Sequence, residues 1–209
     1  MLKTKVKANS ITNLTDARYF AAWEVEWIGF NLNGGEEDAV SVAEVHAIKE
    51  WLDGVKIVGE FGMQTAQTIE AISDELKLET IQLDHFTSLE IVKSLQHYRI
   101  LKEVVVESLE DLAGLDAHLH SLAPFVEYLI LDFNKNNFEL STIDFPLLTT
   151  ICQKYPVLLY APFQAAQVQS LIDTVPIKGI GLSGGAEEKV GYKSFDELDD
   201  IIEVLEILV

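Results

Sequence analysis

The sequence predicts a (β/α)8 barrel, a closed ring of eight parallel strands with helices outside. Short β-branched runs alternate with longer helical patterns along the chain, spaced about 25 residues apart with no long linker. Runs such as VEYLILD and YPVLLYA are apolar on both faces, as strands buried in a parallel sheet are. Eight such units fit 209 residues, close to the smallest barrels of this type. The rival, a doubly wound open sheet, calls for a Gly-rich first turn, and ANSITNL is not one. One barrel domain is therefore expected over 1–209.

The elements follow in order. TKVKA (4–8) is a strand, and Thr15 sits where an N-cap belongs for a helix over 15–23. WIGFN (27–31) precedes a helix over 41–52. VKIVGE (55–60) leads to a helix over 65–76, capped by Thr65, in which Ile69, Ile72 and Leu76 recur at helical spacing. ETIQL (79–83) is followed by a helix over 87–96 with Thr87 as cap. ILKEVVV (100–106) precedes a helix over 109–121, and EYLILD (127–132) one over 144–154. VLLYA (157–161) and KGIGL (178–182) are the last strands, with helices over 164–174 and 194–208. The final helix starts at Ser194 and repeats Leu198, Ile201, Ile202, Leu205 and Leu208. Cys152 shares a helical face with Ile151 and reads as core, as do Trp23, Trp27 and Trp51.

Charge and composition exclude several functions. There are 15 basic and 34 acidic residues, a net charge of −19. That field repels nucleic acid and disfavours phosphate substrates unless a local site overrides it. No apolar run reaches membrane-spanning length, and Met1 to Lys7 carry no apolar signal core. One cysteine rules out an internal disulfide framework and fits a reducing cytoplasm. No metal or cofactor is expected: His118 and His120 diverge on their helix, and His46, His85 and His97 have no spaced partners.

In a barrel of this kind the site lies at the C-terminal ends of the strands. The first strand ends at Asn9, an amide that neither gives nor takes a proton near pH 7. Several strand ends together resemble the phosphoribosylanthranilate isomerase family. KANSITNLTDA is similar to that family's K-I-C-G-I-T-N-x-x-D-A. The likeness continues in WIGFN (L-G-F), VGEFGMQTAQTI (V-G-V-F-x-N-Q), IQLDH (V-Q-L-H-G), LILDF (L-L-L-D) and GLSGGAEEKVGYK (V-S-S-G-V-E-x-x-x-G-x-K). The resemblance implies a barrel of tryptophan biosynthesis that isomerises an aminoaldose phosphate to an aminoketose by an Amadori rearrangement. That reaction needs an acid to open the sugar ring and a base to remove the C2 proton.

By the same resemblance, Asp132 stands at the acid position and Asn9 at the position of the family's basic cysteine. Lys7, Asn31, Gln82 and Asp84 are the candidates for substrate contacts, and Ser183, Gly184 and Gly185 for binding phosphate. The family's arginine clamp after strand 2 is replaced by the acidic loop NLNGGEED, and its histidine after strand 4 by Asp84. Its paired glycines after strand 7 become Ala161 and Pro162, and proline has no N–H to offer. Its Gly-rich stretch after strand 6 becomes NKNNFE.

Lys7 shares a strand face with Asn9, and an inward lysine needs a partner, for which Asp132 is expected. Glu60, Asp84 and Asp132 form an expected acidic rim, with solvated carboxylates commoner than a cation site. An anion at the Ser183–Gly185 turn would draw on Lys189 and Lys193 against the acidic field. Two functions stay open. One is an isomerase of the family's type, and the other is a diverged barrel that binds a small molecule or acts on a different substrate. The expected partner is a small-molecule ligand, a phosphosugar included, with no nucleic acid and no membrane, and the chain is a monomer or homodimer.

Overall fold

The computed structural model describes residues 1–136, 145–189 and 192–207. Eight strands form one closed parallel barrel in chain order. They are β1 (Lys5–Asn9), β2 (Trp27–Asn31), β3 (Lys56–Phe61), β4 (Thr80–Leu83), β5 (Arg99–Val105), β6 (Tyr128–Asp132), β7 (Val157–Tyr160) and β8 (Gly179–Ser183). The ring closes where β1 meets β8, from Lys5 beside Gly179 to Asn9 beside Ser183. An open sheet is thereby excluded.

Helices cover the outside: α1 (Leu14–Ala22), α2 (Val42–Lys49), α3 (Ala66–Leu76), α4 (Leu89–Ser94), α5 (Leu109–Gly114), α6 (Asp116–Leu122), α7 (Phe145–Lys154), α8 (Ala165–Thr174) and α9 (Asp196–Leu205). The alternation of each strand sends Val6, Ala8, Ile28, Phe30, Ile81 and Leu83 outward into the layer beneath the helices. Trp27, Val58, Leu101, Ile130 and Leu158 face inward and plug the lower barrel. The ammonium of Lys5 stands 5.2 Å over the Trp27 ring at that lower end.

Some local expectations are corrected. Asn13, not Thr15, caps α1, because its Oδ1 accepts the backbone N–H of Asp16 at 3.0 Å. Ser88, not Thr87, caps α4, since Thr87 Oγ1 instead donates to Asp84. The helix expected over 109–121 divides at Leu115, just after Gly114, a weak helix former. Between β8 and α9 lies an unforeseen antiparallel pair, β9 (Ala186–Lys189) and β10 (Tyr192–Ser194), and α9 begins after Phe195 rather than at Ser194. Trp51 is 68% exposed and is not a packing residue. Cys152 is buried, as read. Residue 144, Leu208, the last three residues of NKNNFE and the Lys189 side chain lie outside the described residues.

Candidate functional site at the barrel mouth

Above the apolar plug the inward positions turn polar. Lys7, Asn9, Asn31, Glu60, Glu103 and Asp132 are all buried. All but Lys7 line a cavity of about 230 Å³ at the C-terminal ends of the strands, together with Gln82, Asp84 and Lys135. A second cavity of about 440 Å³ lies beside it over β7 and β8, and Asn134 and Tyr160 border both. Asn9, Asp132 and Ser183 therefore share one mouth.

Lys7 does not pair with Asp132. Its Nζ stands 2.5 Å from Oε1 of Glu60 and donates to Oδ1 of Asn9 at 2.6 Å. Glu60 also accepts the Ser10 hydroxyl at 2.8 Å and its backbone N–H at 3.1 Å. Ser10 reaches that place with a φ of 47°, a left-handed turn directly after β1. Gly29, between Lys7 and Glu60 in the ring, makes the pair possible. A Cβ there would overlap Oε1 of Glu60 and stand 2.7 Å from Nζ of Lys7.

Asp132 has different company. Its Oδ1 accepts the N–H groups of Asn134 at 2.7 Å and Lys135 at 3.1 Å. Its Oδ2 is buried and faces no donor. Burial and the neighbouring Glu103 carboxylate push the Asp132 carboxyl up to about 7. A proton on Asp132 donates to Glu103 and satisfies both groups. Burial opposes ionisation of Glu103, but that hydrogen bond and the Lys135 charge outweigh it and hold the carboxyl below its ordinary range. Lys135 Nζ lies 2.6 Å from Glu103 Oε1. The pair is therefore an acid poised near neutrality beside an ionised partner.

The remaining candidates are placed as follows. Asn31 donates through Nδ2 to Glu36 and Asp38, each at 2.7 Å. Asp84 accepts the Thr87 N–H at 2.9 Å and its hydroxyl at 2.7 Å. Gln82 Oε1 and Asn9 Nδ2 are buried without partners. The acidic rim of Glu60, Asp84 and Asp132 is thus divided among internal bonds. Among the described residues no group of three or more His, Cys, Asp or Glu side chains is placed to share a metal ion.

The Ser183–Gly185 turn is engaged from within the chain. Asp16 is buried, accepts the Gly185 N–H at 3.2 Å and pairs with Lys193 at 2.5 Å. A Cβ on Gly184 would stand 2.5 Å from its Oδ2. Lys193 is thus neutralised by Asp16 and does not offset the acidic field for a ligand. Ser183 Oγ lies 2.6 Å from the Tyr160 hydroxyl, which burial pushes up to about 12.

Sequence reasoning missed Glu103, Lys135, Ser10 and Asp16. Glu103 carried a usable signal. It is an acid inside the apolar run ILKEVVV, and two-residue alternation places it on the same face as Leu101.

Fold and site together define a (β/α)8 barrel with an acid-bearing polar mouth at the C-terminal ends of its strands. No family model matches the chain. It is 22% identical over 201 residues to the N-(5'-phosphoribosyl)anthranilate isomerase of Caldanaerobacter subterraneus subsp. tengcongensis, covering 95% of this chain and 96% of that one. A phosphoribosyl anthranilate isomerase structure in complex with reduced 1-(o-carboxyphenylamino)-1-deoxyribulose 5-phosphate superposes with a TM-score of 0.78 at 23% identity, over 97% of this chain and 98% of that one. Monomers generated from the dimeric enzyme of Thermotoga maritima give 0.75 at 21%, with the same coverage. The chain is similar, at low identity and over nearly its whole length, to phosphoribosylanthranilate isomerases. No helix among the described residues is long and apolar enough to cross a membrane.

Proposed function

We propose that this chain is a single-domain barrel that keeps the acid of an aldose–ketose isomerase but has lost its base. It binds a small polyhydroxylated molecule at the mouth and does not isomerise phosphoribosylanthranilate. The observation that carries this reading is Asn9. It occupies the position of the family's basic cysteine, and its Oδ1 is held by Lys7 at 2.6 Å. An amide there cannot remove the C2 proton, and general-base catalysis is worth roughly 10²–10⁴ in rate. Asp132 is the proton donor, with Glu103 as the group that keeps the proton on it near pH 7. Asn31, Gln82 and Asp84 line the ligand pocket, and Lys7 acts on it through its bonds to Asn9 and Glu60.

The anion end supports the same reading. Phosphate at Ser183, Gly184 and Gly185 would compete with the Asp16 carboxylate, and Pro162 contributes no N–H across the cavity. We place the protein in the cytoplasm, as a monomer or homodimer that needs no cofactor. The test is direct. The purified chain is assayed for loss of phosphoribosylanthranilate fluorescence, and its gene is introduced into a tryptophan auxotroph lacking that isomerase. No turnover and no growth are expected. Robust turnover would overturn the reading and assign the base to another group, with Lys7 or Glu60 the first to substitute.

A further inference from the structure

We infer that the mouth takes a polyhydroxylated amine without a phosphate group. This deepens the binding reading above and rests on it. Two residues that line the cavity, Asn9 and Gln82, each carry a buried side-chain amide atom with no hydrogen-bond partner in the chain. Asn9 Nδ2 and Gln82 Oε1 are buried with nothing to bond, although Asn9 is only 7% exposed. Burying such groups unpaired is unfavourable. A ligand hydroxyl satisfies both kinds, because it accepts from an amide N–H and donates to an amide oxygen. Two such amide groups in the wall of one cavity suit a ligand that carries hydroxyl groups.

Charge selects the other end of the ligand. Six carboxyl groups line the cavity, those of Glu36, Asp38, Glu60, Asp84, Glu103 and Asp132, with Asp132 sharing its proton with Glu103, against one ammonium, Lys135. Lys135 is already committed to Glu103 and Glu60 to Lys7. Glu36 and Asp38 are not matched by any cation within 4 Å among the described residues. The Asn31 amide gathers them at 2.7 Å each, which concentrates two negative charges on one side of the mouth. The adjoining cavity adds Asp196 and Glu197 and, among the described residues, no lysine or arginine. A phosphate entering either cavity meets repulsion with no free cation among the described lining residues, since Lys135 is paired with Glu103. An ammonium is drawn in, and the net charge of −19 raises its local concentration further.

The test compares three probes of similar size by calorimetric titration and amide NMR shifts: D-glucamine, D-sorbitol and D-glucose 6-phosphate. Glucamine is expected to bind at least tenfold tighter than sorbitol, with shifts at Asn9, Asn31 and Gln82. Glucose 6-phosphate is expected not to bind. The preference for glucamine should fall severalfold at high salt and in the Glu36→Gln/Asp38→Asn double variant, which removes both charges but keeps an amide oxygen at each position to accept from Asn31. Equal binding of glucamine and sorbitol, tighter binding of the phosphate, no binding of any probe, or glucamine affinity unchanged in the double variant would each overturn the inference. None of these readouts depends on turnover. Isomerase activity would sink the earlier reading, whereas failure of glucamine alone sinks only this one.

Discussion

The ammonium of Lys7 and the carboxylate of Glu60 stand 2.5 Å apart inside the barrel, with 1% and 7% of the two side chains exposed. Breaking a buried pair from one side leaves an uncompensated charge, which costs about 3–5 kcal/mol. Lys7→Met is therefore expected to lower the unfolding free energy by about that amount in urea titration. The double variant Lys7→Met/Glu60→Gln should recover more than half of the loss. A double variant as unstable as the single one would show that the pair is not the coupling unit.

Gly29→Ala tests the same pair from the backbone. The new methyl would occupy the space of Glu60 Oε1, so Glu60 must shift and loosen its bonds to Lys7 and Ser10. We expect a loss of about 1–3 kcal/mol, in the range of overpacked cores. Gly34→Ala, where a Cβ meets nothing within 4 Å, serves as the control and should cost under about 0.5 kcal/mol.

Asp132 predicts a pH dependence of stability. Its carboxyl is raised to about 7 in the folded chain, against about 3.9 in an unfolded one. The folded state binds the extra proton across that window, so this group stabilises the fold fully below about pH 4, and the benefit is lost as pH rises through 7. The urea midpoint of the wild type should fall between pH 5 and pH 8. Asp132→Asn should flatten that slope. An unchanged slope would mean that Glu103 and Asp132 do not share a proton.

Lys102 predicts the opposite slope in a separate window. It is buried between β5 and the helices, and its Nζ donates to the carbonyl oxygens of Asp84 and Glu103. Burial pushes its ammonium down to about 8, against about 10.4 when unfolded. The unfolded chain binds more protons between these values, so the wild type should gain stability relative to Lys102→Met from pH 8 to pH 10. Matching profiles for the two proteins would refute this.

Asp16→Ala removes the buried acceptor of Lys193, Asn13 and the Gly185 N–H. A loss of about 2–4 kcal/mol is expected. Phosphate titration of the wild type should leave the amide shifts of Gly184 and Gly185 in place. Movement of these two signals at millimolar phosphate would show that the turn still accepts an external anion.

The sequence by itself determined the ring. The alternation of apolar strands and amphipathic helices fixed the number of strands and their order, because buried parallel strands and their covering helices must each repeat their own period. It also placed Lys7 and Asn9 on one face, since a strand alternates strictly, and the structure joins them at 2.6 Å. What it left undecided was which residues of different strands meet. Lys7 found Glu60 instead of Asp132, and Asp132 found Glu103, because partners across a barrel depend on the stagger of strands and on the space left by Gly29. Asp16 met the Gly185 turn across 169 residues. Such meetings are fixed by barrel closure, which brings β1 beside β8, and no local pattern in the chain encodes them.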